Sequence, residues 1–335
     1  MNRALTALIV AIACAAALSG CAPAPMPGLV PASPSATPAI LCAPGAVVVG
    51  EGADALQAAL DTAVPGVVLQ LSPTVYRGRF HATAVATAEA PIVLCGSEGT
   101  VLDGGDIRDG YTLHLDGATY WDVRDLAVRG SQKGVVLDAT THSTLSGVTI
   151  SDVGQEGLHL RAGSADNTVR SVTIERTGRA DPEFGEGVYV GSAESNWCRY
   201  TACEPDRSDR NAFERLVVRD TTAEAVDAKE GTTGGVVRGS SLSTGPAPAV
   251  DSAVDLKGAQ WRLEDNTIEG PVDAVSIHTI LDPWGSDNVV VANTLRPGPG
   301  GLGVAVVGSA RTAGNTVGCD NAVETGVSLT DVACT

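Results

Sequence analysis

From residue 112 onward, short stretches alternate an apolar position with a free one. They read TLHLDG at 112, GVVLDA at 134, GLHLRA at 157, GVYVGS at 187, AVDAKE at 225, AVDLKG at 253, AVSIHT at 274 and GVAVVG at 303. This alternation is the mark of a β-strand with one buried face. The stretches recur every 21 to 38 residues, and a second strand follows in most repeats, as in WDVRDLAV, NTVRSVTI and WRLEDNTI. Repeats of this length built from short strands without helical periodicity indicate a solenoid. The expectation is an all-β fold, a single-stranded right-handed parallel β-helix of about ten coils. A propeller would need more strands per repeat, and leucine-rich repeats a denser leucine pattern. Asn266, Asn293 and Asn315 each precede Thr and an apolar residue, as expected of asparagines stacked at one coil corner.

Aligning the repeats assigns each position a direction. Leu113, Val135, Leu158, Val188, Val226, Val254, Val275 and Val304 form one inward column. Leu115, Leu137, Leu160, Val190, Ala228, Leu256, Ile277 and Val306 form another. The residues between them should face outward: His114, Val136, His159, Tyr189, Asp227, Asp255, Ser276 and Ala305. A second outward column contains Asp116, Asp138, Arg161, Lys229, Lys257 and His278. Equivalent residues of neighbouring coils lie about 4.8 Å apart, so one strip of one sheet should collect histidines, aspartates and lysines.

The lysines sharpen this picture. The chain has three, and two of them, Lys229 and Lys257, each follow an aspartate by two residues (Asp227, Asp255) in matching segments. Lysine, unlike arginine, titrates readily beside another cation and can act as a base. Stacking one lysine over the other is expected to leave a neutral amine at Lys229. The bland alternative is a self-neutralising Asp/Lys ladder. The longest interruptions flank Tyr189, so loops should wall a cleft there. Trp197 and Tyr200 would then contact sugar, Trp197 having an equal claim as a loop anchor.

The first 20 residues carry Arg3, an apolar run and LSGC, the pattern of a lipoprotein signal ending at Cys21, the lipidated residue. Residues 21–40 form a Pro/Ala/Ser-rich tether, and 41–335 a single domain. This organisation predicts a monomer in the bacterial envelope, touching the membrane only through its lipid or released from it. The export route fits the six remaining cysteines. Their connectivity is open in sequence, with Cys42–Cys95, Cys198–Cys203 and Cys319–Cys334 favoured by proximity along the coils. A formal charge of −17 argues against nucleic acid as a partner.

The opening DALQAALDTAVPGVVLQLSPTVYRGRF, followed by APIVLCGSEGTVLDGG, resembles β-helical polysaccharide lyases of the alginate lyase, chondroitinase B and pectate lyase kind. The resemblance implies a short N-terminal cap helix carrying Leu56 and Leu60, and a glycan as partner. EFGEGVYVGSA and TAEAVDAKEG are similar to two motifs of the alginate lyase and chondroitinase B group. There, acidic residues hold Ca²⁺, a lysine removes a proton from a uronic acid, and an arginine assists. By that resemblance Lys229 is the base and Glu224 and Glu186 are calcium ligands. Lys257 stands where the arginine is expected.

The implied activity is β-elimination on an acidic polysaccharide. Lys257 or Arg161 would neutralise the uronate, Asp227 would join Glu224 and Glu186 on Ca²⁺, and Tyr189 or His278 would protonate the leaving oxygen. His159, Asp227 and Asp255 would bind substrate. Two alternatives stand beside it. One is a glycoside hydrolase using Asp227 and Asp255, or an inverting site drawing on Asp116 or Asp138. The other is a non-catalytic carbohydrate-binding or envelope-structural lipoprotein.

Overall fold

The computed structural model describes residues 42–335 except 247 and 249. The leader, the lipid attachment at Cys21 and the tether expected from the sequence fall outside the described residues. Three parallel sheets run the length of the domain. One has 11 strands, one per turn of the solenoid, from Val47–Val48 to Thr316–Val317. The other two are joined because Val101–Asp116 and Ala127–Asp138 bend from one into the other. A nine-residue helix, Ala53–Asp61, caps the N-terminal end and buries Leu56 and Leu60, as the resemblance implied. All three expected disulfides are present.

Register in the sheet that carries the outward strip follows the repeat alignment. Leu158 pairs with Val188, Val188 with Val226, Val226 with Val254, Val254 with Val275, and Val275 with Val304. Both inward columns are buried throughout. A one-residue slip would turn every apolar side chain outward, so burial of these columns fixes the strip above them. The sharp corner between the first sheet and the second takes one residue in the left-handed region. Asp125, Gly147, Ser171, Arg215, Gly239, Asp265 and Ala292 fill it in successive turns, with φ between 51° and 61°.

The asparagine stacking divides between two corners. The Asn266 backbone N–H and Nδ2 donate to Asn293 Oδ1, and those of Asn293 donate to Asn321 Oδ1. Asn315 belongs elsewhere, accepting from the backbone N–H of Asn288. The correction has a simple cause. Both corners need a side-chain oxygen to satisfy a buried backbone donor of the coil before, so the same Asn-Thr pattern arises at two places.

Candidate functional site

Two insertions cover the strip at Tyr189. The segment after Val190 turns through a 3-10 helix at Glu194–Asn196 and a single helical turn at Trp197–Tyr200. Buried Asp206 staples it down, accepting from the backbone N–H groups of Ala162 and Gly163 at 3.0 and 2.9 Å and from Ser192 Oγ at 2.8 Å. Trp197 is the loop's anchor rather than a sugar platform. It is buried, donates from Nε1 to the Ser192 carbonyl at 2.9 Å, and meets Trp284 edge to face at 5.7 Å. Tyr200, one helical turn on, does reach the cleft.

The cleft is a cavity of about 300 Å³ whose polar lining includes Lys133, Glu156, His159, Tyr189, Arg199 and Tyr200. Lys133 and Glu156 form a tight ion pair, each almost wholly buried. Burial works against the Glu156 charge, but the Lys133 ammonium hydrogen-bonded to it outweighs burial, and the carboxyl is held at about 2. The His159 Nε2–H donates to the Gly191 carbonyl at 3.0 Å, so Nδ1 keeps its lone pair and faces Lys133 Nζ at 3.3 Å. Burial first, then Lys133, lowers the His159 pKa and keeps the ring neutral. Tyr189 lies edge-on to His159 at 4.5 Å, with Lys229 Nζ 5.0 Å from its ring centre. Its phenol pKa is raised well above the ordinary value by burial, then by Asp227 and Glu186, so it carries its proton.

The strip is therefore outward but not open. His159, Arg161, Asp227 and Asp255 are buried, as are Val136, Ser276 and Ala305, because loops and neighbouring coils close over them. The lysine pair also departs from expectation. Lys229 bonds Asp227 Oδ2 at 2.7 Å, while Lys257 reaches Asp227 Oδ1 at 2.9 Å and Asp255 Oδ2 at 3.0 Å. Burial penalises both ammoniums, yet Asp227 overrides it and raises both pKa values. Lys229 is thus held protonated, and the neutral amine expected from lysine–lysine repulsion does not form. The interleaved carboxylates win over like-charge repulsion.

Other candidates find fixed partners. Arg161 makes a two-pronged bond to Asp138 at 2.6 and 2.9 Å, donates to the hydroxyls of Tyr111 and Tyr200, and lies 4.3 Å from the Tyr200 ring centre. It holds the cleft wall and is not free to neutralise a uronate. His278 Nδ1 sits 2.8 Å from Asp255 Oδ1, away from the cleft, a bond that raises its pKa. Asp227 and Asp255 are both committed to Lys257, which removes the glycosidase pair. Asp138 is committed to Arg161 and His114, and Asp116 is half exposed beside His81.

Glu186, Glu224 and Asp227 do come together, each offering an oxygen within 4.8 Å of the others. Burial and then neighbouring carboxylates raise Glu186 well above the ordinary value and push Glu224 up to about 7. Glu186 Oε2 and Ser252 Oγ are buried without a hydrogen-bond partner.

Lys133 and Glu156 were missed by the strand pattern. Their signal lies two residues before the first inward position of each coil, where the sequence reads Lys133, Glu156, Glu186, Glu224 and Ser252. That column edges the same sheet, but it lies outside the apolar alternation that marks the strands.

No protein-family model and no curated relative matches the sequence. The structure is similar to an alginate lyase from Paenibacillus sp. str. FPU-7, with 31% identity, 84% of this chain and 97% of that chain covered, and a TM-score of 0.77. It is also similar in fold to pectate lyase Pel9A (15% identity, covering 86% and 80%, TM-score 0.55). The A-module of the Azotobacter vinelandii mannuronan C-5 epimerase AlgE4 is a third such structure (13% identity, 86% and 98%, TM-score 0.54).

Proposed function

The chain belongs to the family of β-helical polysaccharide lyases represented by the Paenibacillus alginate lyase, and on that premise we propose that it cleaves a uronic-acid-containing polysaccharide by β-elimination. The observation that carries the reading is Tyr189 packed edge-on against His159 at 4.5 Å, both lining a cleft that also holds Lys133 and Arg199. Elimination needs a positive charge on the uronate carboxylate, a base for the proton α to it, and an acid for the leaving oxygen. Lys133 and Arg199 bind the carboxylate. As Lys133 turns to the substrate, His159 Nδ1 is freed to take the α proton. The electrons of that C–H bond form the new double bond, the bond to the glycosidic oxygen breaks, and Tyr189 protonates the leaving oxygen. Lys229 acts by charge, steadying the Tyr189 phenolate that results.

Glu186, Glu224 and Asp227 fit a hard cation such as Ca²⁺, since all three donate oxygen, and Glu186 Oε2 lacks a partner. Bound there, Ca²⁺ would add positive charge next to Tyr189. The domain would act in the bacterial envelope, tethered by the lipid on Cys21 or released.

The test is ultraviolet absorbance of unsaturated uronate during incubation with alginate, pectate and glycosaminoglycans, with and without chelator. Tyr189→Phe should cut turnover about 100-fold or more while leaving the thermal transition in place. Absence of unsaturated product from every uronate, with glycan binding intact, would make the protein a tethered binding module. New reducing ends on saturated products would mean hydrolysis.

A further inference from the structure

A second grouping of ligand atoms lies outside the cleft and has no part in the elimination. His81 and His114 are register partners on adjacent coils, in Phe80–Ala82 and Val101–Asp116, with ring centres 5.0 Å apart. Asp116 follows His114 by two residues and so rises on the same face. One ligand atom from each lies within 4.8 Å of the others. The flanking residues Phe80, Ala82, Leu113 and Leu115 are buried, which fixes both strands, and Gln57 bonds the His81 backbone from the cap helix at both its N–H and its carbonyl.

The hydrogen bonding around His114 resembles that of a metal ligand. Its Nε2 is 2.9 Å from Asp138 Oδ2. A carboxylate only accepts, so Nε2 carries the hydrogen and Nδ1 keeps a lone pair. A carboxylate behind an imidazole fixes its tautomer and orientation, as it does for metal-bound histidines. Asp138 is itself oriented by the two-pronged bond from Arg161. His81 and Asp116 have side chains 48% and 49% exposed, so an ion can enter and further coordination positions stay open to water.

We propose that His81, His114 and Asp116 form a binding site for a borderline divalent transition ion, with Zn²⁺ as the type, and that Asp138 is its supporting carboxylate. Two imidazoles and one carboxylate suit Zn²⁺ and disfavour Ca²⁺, which takes oxygen ligands. The site is thereby chemically distinct from the all-carboxylate cluster at Glu186, Glu224 and Asp227. It clamps the first coils together and, through Asp138, adjoins the Arg161 that braces the cleft wall.

The test is calorimetric titration of the chelator-stripped full chain with Zn²⁺ in excess Ca²⁺, repeated with Co²⁺ and read by visible absorption. One equivalent should bind and raise the melting temperature. His81→Ala and His114→Ala should each weaken binding at least about tenfold, and Asp138→Asn should weaken it by about tenfold, the usual effect of losing a supporting carboxylate. His142→Ala, which stacks on Tyr120 and is not one of the cluster's ligands, should bind as the wild type does. The metal-free melting temperatures of His81→Ala and His142→Ala should match the parent, so that loss of binding is not loss of fold. Failure to bind Zn²⁺, or binding indifferent to both His81→Ala and His114→Ala, overturns the site.

Discussion

The two flanks of Tyr189 are built from the same materials and behave differently. On one side Lys133, Glu156 and His159 line a cleft; on the other Asp227, Lys229, Asp255, Lys257 and His278 interlock. Both flanks neutralise buried charge, as they must. The first does so with one ammonium shared between a carboxylate and an imidazole, at an edge left open by the loops. The second spreads two ammoniums and an imidazole over two carboxylates, and none of these groups lines the cavity. Lysine stacked beside aspartate is therefore not in itself a catalytic arrangement. What matters is whether a partner is left that substrate can replace.

The sharpest way to break this comparison is at Lys133. Lys133→Ala should lower lyase turnover by about 10- to 100-fold and destabilise the fold by about 3 kcal/mol, since Glu156 is left buried and unpaired. Adding Glu156→Gln should restore the urea midpoint but not the activity. Recovery of both would reduce Lys133 to a structural ion pair.

Lys229 offers the next test. Arginine keeps the charge but does not deprotonate, so Lys229→Arg should retain activity within about tenfold, whereas Lys229→Ala should lose about 100-fold. Equal loss in both would return Lys229 to the role of base that the family resemblance implied. Trp197→Ala comes third. Removing the anchor should raise KM about tenfold by loosening Arg199 and Tyr200, with a smaller change in kcat, and a kcat effect alone would contradict the anchoring role.

The smallest effect is on acid stability. Glu156 titrates at about 2 in the fold against 4.5 ordinarily. Below 4.5 the unfolded chain takes up a proton that the folded chain refuses, so this contribution is complete above that value and lost as pH falls toward 2. In Glu156→Gln the fall in unfolding free energy across that window should be shallower than in the parent.

Although disulfide connectivity stayed open and the cap helix rested on the family resemblance, the solenoid, its strand register and the strip on which the chemistry sits were legible in the chain itself. These depend on local alternation and repeat spacing, which survive in one dimension because each coil packs only on its neighbours. The grouping of Glu186 and Glu224 as cation ligands came from the family resemblance, with Asp227 joined to them from the outward strip. Tertiary structure alone decided which strip residues meet the cavity, that Trp197 points into Trp284, and that Asp227 lies between the two lysines. Those outcomes depend on where two long loops settle and on which rotamer each buried charge takes to find its partner. Neither is encoded in a period of two.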